Sequence, residues 1–299
     1  MPTTRLVFFN PSSGSAWIGR RTLKALEILA RAPGTQIHGT IPGAVAEQVR
    51  AHLTPEIERV YAIGGDGTVG DVATALVGTN AALGIIPSGT TNVLAREYGI
   101  SLWTATAAQS LERSTRTSIL RTWHAGGHTA VLGAGVGWDA RVMWNAPSWL
   151  KRRFGRVGIV FVGLRETARY EFPLLVVTGT DDRGEQVALR GCSVILATVK
   201  RWAGGNTGIP QADPSDDYLD VVVIQTRSRL RLLAFWTAMA IPGGRPLAMG
   251  GVAVARLRDA RVVSEDGRAI EAHVNGEGGL LKTPLVMEPG GDVKVLLPA

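Results

Sequence analysis

The sequence predicts an α/β domain built on a parallel sheet with helices on both faces, followed by a second, mostly antiparallel β domain. Three observations predict this. Short, nearly all-apolar strands alternate with helical patterns over the first third of the chain. Polar, glycine-containing turns close three of those strands. Beyond about residue 115 the alternation gives way to strand-like segments joined by Gly/Asp turns. A chain of 299 residues suits two domains better than one.

The elements follow in order. Arg5–Phe9 is a short apolar strand that ends in Asn10-Pro11-Ser12-Ser13-Gly14. Trp17–Ala32 places Ile18, Leu23, Leu26, Ile28 and Leu29 at helical spacing. Thr35–Ile41 reads as a strand, Ala44–Leu53 as a helix, Arg59–Ile63 as a strand and Val69–Val77 as a helix. Leu83–Ile86 is a strand and Thr91–Tyr98 a helix. Strands covered by helices on both faces are nearly all apolar, and most of those here are. In the later region Ser118–His124, Thr129–Val136, Leu174–Thr180, Ser193–Val199 and Leu219–Gln225 read as strands. Pro147–Tyr170 and Arg229–Ala240 read as the main helices there, and Pro284–Pro298 as a last strand able to close either domain.

Composition narrows the class. Hydrophobic residues make up 45% and charged residues 19%, ordinary for a folded globular chain. The net charge of +7 is carried mostly by Arg spread along the chain, compatible with an anionic partner without choosing one. No recognition helix, zinc finger or aromatic RNA platform is present, so no nucleic-acid partner is expected. The single cysteine, Cys192, lies in an apolar run and reads as a buried small hydrophobe, consistent with a reducing cytoplasm. The N-terminus has four consecutive apolar residues, too few for a signal-peptide core. No stretch reads as a spanning helix, so membrane contact is expected to be peripheral.

Three turns stand at strand ends, where ligands of parallel sheets bind. Gly64-Gly65-Asp66-Gly67-Thr68 opens the helix after the third strand. Its glycines are expected to take positive φ and, with the helix N-terminus, to form an anion cradle. Pro87-Ser88-Gly89-Thr90-Thr91-Asn92 and Asn10-Pro11-Ser12-Ser13-Gly14 occupy equivalent places. Asp66 repels phosphate unless a cation mediates, and Mg²⁺ binds through one or two carboxylates plus substrate phosphates. The loop therefore points to phosphoryl transfer from a nucleotide. It is not a P-loop, since no Gly-Lys-Ser/Thr follows. The run Gly133-Ala134-Gly135-Val136-Gly137 lies among β segments and is expected to form a bulged turn.

The pair Gly64-Gly65-Asp66-Gly67-Thr68 and Pro87-Ser88-Gly89-Thr90-Thr91-Asn92, about twenty residues apart, resembles the diacylglycerol kinase catalytic-domain family, which includes the soluble bacterial lipid kinases and the sphingosine and ceramide kinases. The resemblance covers nearly the whole chain. Asn10-Pro11-Ser12-Ser13-Gly14 resembles the opening Asn-Pro-x-x-Gly turn, and Thr40 resembles the threonine near the adenine nucleotide. Gly135-Val136-Gly137-Trp138-Asp139-Ala140 resembles Gly-x-Gly-Phe-Asp-Ala, and Lys151 through Gly155 resembles Lys-x-x-x-Gly. Pro210-Gln211-Ala212-Asp213 with Asp216-Asp217-Tyr218-Leu219-Asp220 resembles a segment that holds a structural Mg²⁺ in some members. Val274-Asn275-Gly276-Glu277 resembles the Asp-Gly-Glu segment whose glutamate is the proposed general base.

The resemblance implies ATP-dependent phosphorylation of a lipid hydroxyl, most readily diacylglycerol to phosphatidic acid, with ATP and Mg²⁺ as cofactors. It implies a nucleotide-binding α/β domain over residues 1–117, rejoined by 284–299, and a β-sandwich-like lipid-substrate domain over 118–283. ATP falls to Asn10, Thr40, Gly64, Gly65, Asp66, Gly67, Thr68, Gly89, Thr90 and Asn92. Asp66 acts through the catalytic Mg²⁺; Asp213, Asp216 and Tyr218 hold the structural one. Glu277 accepts the proton of the lipid hydroxyl. Read alone, Asn275-Gly276-Glu277-Gly278-Gly279 is an ordinary hairpin turn with an exposed Glu. Four positions depart from the family pattern. Asp71 replaces Glu, Val93 replaces Asp, Asn275 replaces Asp, and Asp217 replaces Gly.

The segment from Trp144 to Leu164 sets Trp144, Trp149 and Phe154 beside Lys151, Arg152, Arg153 and Arg156, a mixture suited to an anionic interface. Arg227–Ile241 has similar ingredients. Both are equally the pattern of a core-facing amphipathic helix. The expected partners are a diacylglycerol-like lipid and a transient membrane surface, with a homodimer left open. Two other readings compete: an NAD kinase-like enzyme, which expects Glu where this chain has Val93, and a non-catalytic nucleotide- or lipid-binding protein, with Asn275 as the sign of decay.

Overall fold

The computed structural model describes residues 4–11, 16–146, 148–203 and 205–299; of 16–18, 148–157 and 278–280 the backbone alone is described. Ser12, Ser13 and Gly14 of the first turn therefore lie outside the described residues. So do the side chains of Trp149, Lys151, Arg152, Arg153, Phe154 and Arg156. The chain divides into two compact units, residues 1–122 with 291–299, and residues 123–290.

The first unit alternates strand and helix: β1 (Arg5–Phe9), α1 (Ala16–Ala30), β2 (Thr35–Gly39), α2 (Val45–His52), β3 (Arg59–Gly64), α3 (Asp66–Leu76), β4 (Ala82–Pro87), α4 (Val93–Glu97) and α5 (Thr104–Arg113). Its strands run parallel in the order β2-β1-β3-β4. Leu6, Val7 and Phe8 of β1 are fully buried, as are Val60 to Ile63 of β3, so both faces of the sheet are covered. The chain leaves β1 for β2 on one side and β3 for β4 on the other. The order thus reverses between β1 and β3, where doubly wound sheets open a crevice at their carboxyl ends.

The second unit continues through β5 (Thr117–Ala125, shared with the first unit), β6 (His128–Ala130), β7 (Gly133–Val136), α6 (Trp138–Asn145), α7 (Ser148–Ala168), β8 (Leu175–Thr180), β9 (Gln186–Gly191) and β10 (Ser193–Ala197). There follow β11 (Arg201–Trp202), β12 (Asn206–Thr207), β13 (Leu219–Ile224), α8 (Arg229–Ala240), a 3-10 turn at Pro246–Ala248, β14 (Val252–Leu257), β15 (Ala260–Ser264), β16 (Glu271–Val274), β17 (Glu277–Lys282) and β18 (Leu285–Leu296). Six strands form an antiparallel sheet in the order β14-β13-β10-β7-β16-β17. A second layer contains β9, β8, β15 and the start of β18.

The central strands of the six-stranded sheet show why it is sandwiched. Val221 and Val223 of β13, with Val194 and Leu196 of β10, join Val177, Val262 and Met287 of the other layer in one core. The alternate residues Val222, Ile224, Ile195 and Ala197 face a second core with Trp138, Val162, Phe235, Trp236 and Met239 of α6, α7 and α8. Period-two alternation with both faces apolar places β10 and β13 inside, between a sheet and a helical layer.

Differences from the sequence reading have physical reasons. Thr129–Val136 is two strands, because the chain breaks at Val131 and Leu132, whose amides are bound by the Asn275 side chain. Gly133–Val136 is the interior strand β7 rather than a bulged turn, with Gly137 at φ 88° capping α6. Helices α5 and α6 escape the reading since their buried faces are small or sit beside a strand-like glycine run. The last strand serves two partners: Leu285–Met287 pairs with β15, and Lys294–Val295 with β4.

Candidate functional site

In the first unit Asn10, at the end of β1, and the turns after β3 and β4 meet at the carboxyl ends of these strands. Asn10 follows β1 and donates from Nδ2 to Thr68 Oγ1 (3.4 Å), tying the first turn to the second. Thr68 lies over Gly64, where an added Cβ would sit 2.5 Å from the Thr68 Cβ. Gly65 and Gly89 press backbone on backbone: a Cβ on Gly89 would fall 2.5 Å from the Gly65 Cα. The glycines are needed for this contact, not for unusual torsions. Gly64, Gly65 and Gly67 are absent from the positive-φ residues, and Gly65 is extended at φ −88°. The expected positive φ at these three is thus corrected; the left-handed residue of the cluster is Asn92, at φ 49°.

Asn92 locks its own turn, accepting from Gly89 N (2.9 Å) and donating to Gly89 O (2.8 Å). Thr90 is exposed at the tip of that turn, and Thr40, buried, donates its amide to Phe9 O (2.8 Å). The helix α3 begins at Asp66, immediately after Gly65, earlier than the expected Val69. Its first-turn amides, those of Asp66, Gly67 and Thr68, have no intrahelical acceptor and lie at the carboxyl end of β3. Unpaired amides at a helix N-terminus suit an anion, and glycines stand on either side of Asp66.

The carboxylate in this turn has a definite task. Asp66 Oδ1 accepts from Leu94 N (3.3 Å), and the amides of Val93 and Asn92 also stabilise its charge. Burial is the stronger effect and raises its pKa above the usual carboxylate range. Asp66 therefore fastens the start of α4 to the start of α3. A single anchored carboxylate also suits the donor set of a magnesium ion that keeps substrate phosphates and waters as its other ligands.

In the second unit Glu277 is the first residue of β17 and is exposed. It follows a two-residue hairpin in which Asn275 (φ 56°) and Gly276 (φ 77°) are both left-handed, the torsions of a type I′ turn. Asn275 does more than turn. Its Oδ1 accepts from Val131 N (2.8 Å) and Leu132 N (3.0 Å), and its Nδ2 donates to Thr129 O (2.8 Å). An ionised aspartate has no donor for that carbonyl, so the third bond is one that asparagine adds.

The Asp213–Asp220 segment does not fit the structural magnesium that the family resemblance implies. Asp213 Oδ1 accepts from Ser215 N (2.9 Å) and Ser215 Oγ (2.7 Å). Asp216 Oδ1 accepts from Tyr218 N (2.9 Å), while its Oδ2 pairs with the Arg256 guanidinium. The Tyr218 ring is covered by Arg256 (4.6 Å to the ring centre) and Arg258 (5.5 Å). Positive charge is supplied by arginine, and among the described residues no three acids, histidines or cysteines gather as a metal site.

Sequence reasoning missed a buried polar cluster. Asp139 Oδ2 accepts from Trp202 Nε1 (3.0 Å) and lies 3.0 Å from His273 Nε2. His273 Nδ1 in turn receives Gly276 N (3.2 Å). The signal in the sequence was His273 set between the apolar residues Ala272 and Val274, three positions before Gly276.

A family model described as the diacylglycerol kinase catalytic domain matches residues 4–122, and one described as the YegS C-terminal NAD kinase beta sandwich-like domain matches residues 131–293. The chain belongs to the diacylglycerol kinase–YegS family of lipid kinases. Relatives in this family include a diacylglycerol kinase of Mycobacterium tuberculosis, 31% identical over 64% of each chain. A YegS-like lipid kinase of Klebsiella pneumoniae is 30% identical over 75% of each. An uncharacterized Synechocystis protein is 30% identical over 58% of this chain. The matched stretch spans 39% of the Synechocystis relative and 64% of the mycobacterial one, less than two thirds of either. A crystal structure of a diacylglycerol kinase from Bacillus anthracis has a TM-score of 0.73 at 17% identity, covering 98% of this chain and 96% of that one. Yeast NADH kinase complexed with NADH gives 0.51 at 12%, covering 100% and 84%. At such identities the likeness to both structures establishes the fold alone.

Proposed function

We propose that this protein transfers the γ-phosphoryl group of magnesium-bound ATP to the hydroxyl of a diacylglycerol-type lipid. The observation that carries the reading is the contact of Asn10, at the end of β1, with the turn after β3, and of that turn with the one after β4, at the first turn of α3. Phosphoryl transfer asks for held phosphates, neutralised charge and an aligned nucleophile, with little covalent work by the protein. The amides of Gly65, Gly67 and Thr68 hold phosphate oxygens in this reading. Asn10, Thr40, Gly64, Gly89, Thr90 and Asn92 complete the nucleotide side, and Asp66 would hold a magnesium ion that neutralises phosphate charge. Glu277 accepts the proton of the lipid hydroxyl as general base.

Membrane approach is assigned to α7. Its exposed Val160, Phe161 and Leu164 share one helical face, and an apolar stripe of this kind suits an interfacial position. Helix α8 instead turns Leu232, Phe235, Trp236 and Met239 inward. Val93 is buried at the head of α4, where the NAD kinase-like alternative expects an acid.

The test is phosphate transfer from ATP to diacylglycerol, sphingosine and phosphatidylglycerol in mixed micelles. Turnover of diacylglycerol is expected, with Glu277→Gln lowering kcat by about 10²-fold or more. Turnover that survives the substitution removes Glu277 as the base; no lipid phosphorylated across the panel removes the kinase reading.

A further inference from the structure

We propose that the buried Asp139–His273 pair is a positioning device that fixes the hairpin carrying Glu277. This rests on the reading of Glu277 as the general base, and it assigns a role to residues outside the nucleotide turns.

The two side chains are almost wholly enclosed, Asp139 at 5% and His273 at 2% exposure. Burying a carboxylate is costly unless it is paired and hydrogen-bonded. Well-packed apolar residues in place of such a pair are often as stable or more so, so its presence is weak evidence for a stabilising role. Here both partners are fixed by the fold. Asp139 stands in the first turn of α6, just after Gly137, whose φ of 88° redirects the chain from β7 into the helix. His273 stands on β16, whose neighbours Ala272 and Val274 face the sandwich core. Between them passes β7 at Gly135, where a Cβ would lie 2.4 Å from His273 Nε2 and 2.7 Å from Asp139 Oδ2. Only glycine leaves the pair room to close across that strand.

The hydrogen bonds set the direction of the relay. A backbone N–H donates only to an unprotonated ring nitrogen, and Gly276 N donates to His273 Nδ1 at 3.2 Å. The ring proton therefore sits on Nε2 and is given to Asp139 Oδ2 at 3.0 Å. Trp202 Nε1 donates to that same oxygen, also at 3.0 Å. The chain of bonds runs from Trp202 through Asp139 and His273 to the amide of Gly276, the residue before Glu277. Asn275 holds the turn from its other flank through Thr129, Val131 and Leu132. The base thus follows a turn braced on both sides, so its carboxylate starts from a fixed backbone position.

Two measurements test this. First, ¹⁵N-histidine NMR of the intact protein, which has five histidines, reads the tautomer directly. His273 is expected as the Nε2–H form; the Nδ1–H form or a mixture overturns the relay. Second, His273→Phe keeps ring volume while removing both nitrogens. A drop of about 10- to 100-fold in kcat is expected, with the KM values for ATP and lipid unchanged. Added to Glu277→Gln it is expected to lower turnover no further, because its effect runs through Glu277. A loss confined to KM, or one that multiplies with that of Glu277→Gln, overturns the proposal. Trp202→Phe, which removes one bond to Asp139, replaces His273→Phe in the same cycle if the latter does not fold. A wild type inactive on every lipid defeats the kinase reading, and the tautomer still decides the relay.

Discussion

Asn275 shows how one side chain can serve a turn and its surroundings together. Its left-handed torsion makes the hairpin, and its amide satisfies two N–H groups and one carbonyl of the β6–β7 break. Asn275→Asp leaves the Thr129 carbonyl without its donor and brings a carboxylate beside it. A loss of about 1–3 kcal/mol is expected, read as a lowered denaturant midpoint. An unchanged midpoint contradicts the clamp. Asp220 offers a pH-dependent case. Burial, the largest effect, pushes its carboxyl up to about 6 from an ordinary 3.8. Between those values the folded protein keeps a proton that the unfolded chain has released, so stability falls as pH rises through the window. Asp220→Asn removes that loss. Its melting temperature relative to wild type is expected to climb from pH 4 to about pH 6.5 and then level off; equal differences at pH 4 and pH 7.5 contradict this. At this scale the residue types in the turns were legible in the sequence, but the reason for them was not. Gly65 and Gly89 touch only because β3 and β4 are neighbours, a tertiary fact that local torsional reasoning does not contain.

At the scale of elements, the strand–helix junctions after β3 and β4 behave as one part. Gly65 against Gly89, Asp66 to the amides of α4, and Ser88 N to Gly64 O (2.9 Å) bind them together. Gly89→Ala forces backbone against backbone, and overpacking of this kind costs about 1–3 kcal/mol. Both nucleotide affinity and melting temperature are expected to fall, measured by calorimetry and thermal denaturation. Unaltered ATP binding in this variant contradicts the shared junction. Apolar strands of the parallel sheet were readable because burial on both faces leaves no polar positions, and α8 was readable from its long apolar pattern. Helix α5 was hidden by its run of Ala, Thr and Ser, which buries small side chains and gives a faint periodic signal. The β6–β7 division was hidden because its cause, Asn275, lies more than 140 positions away.

For the whole molecule, an α/β unit and a β-sandwich unit with a helical layer share a last strand that pairs in both. Among the described residues no helix is long and apolar enough to cross a membrane. The fold class followed from alternation and composition; the family followed from the paired glycine turns. The link of Trp202, Asp139 and His273 could not be read from the residues singly, since it joins α6, β11 and β16 across the sandwich unit. The claim on which the account turns is that the phosphoryl donor lies on the strand-end turns of the first unit. Hydrogen–deuterium exchange of the intact protein with and without magnesium and ATP tests it most directly. Slowed exchange is expected at the amides of Gly65–Val69 and Gly89–Leu94. Protection that appears elsewhere while these two segments exchange as before would contradict the account.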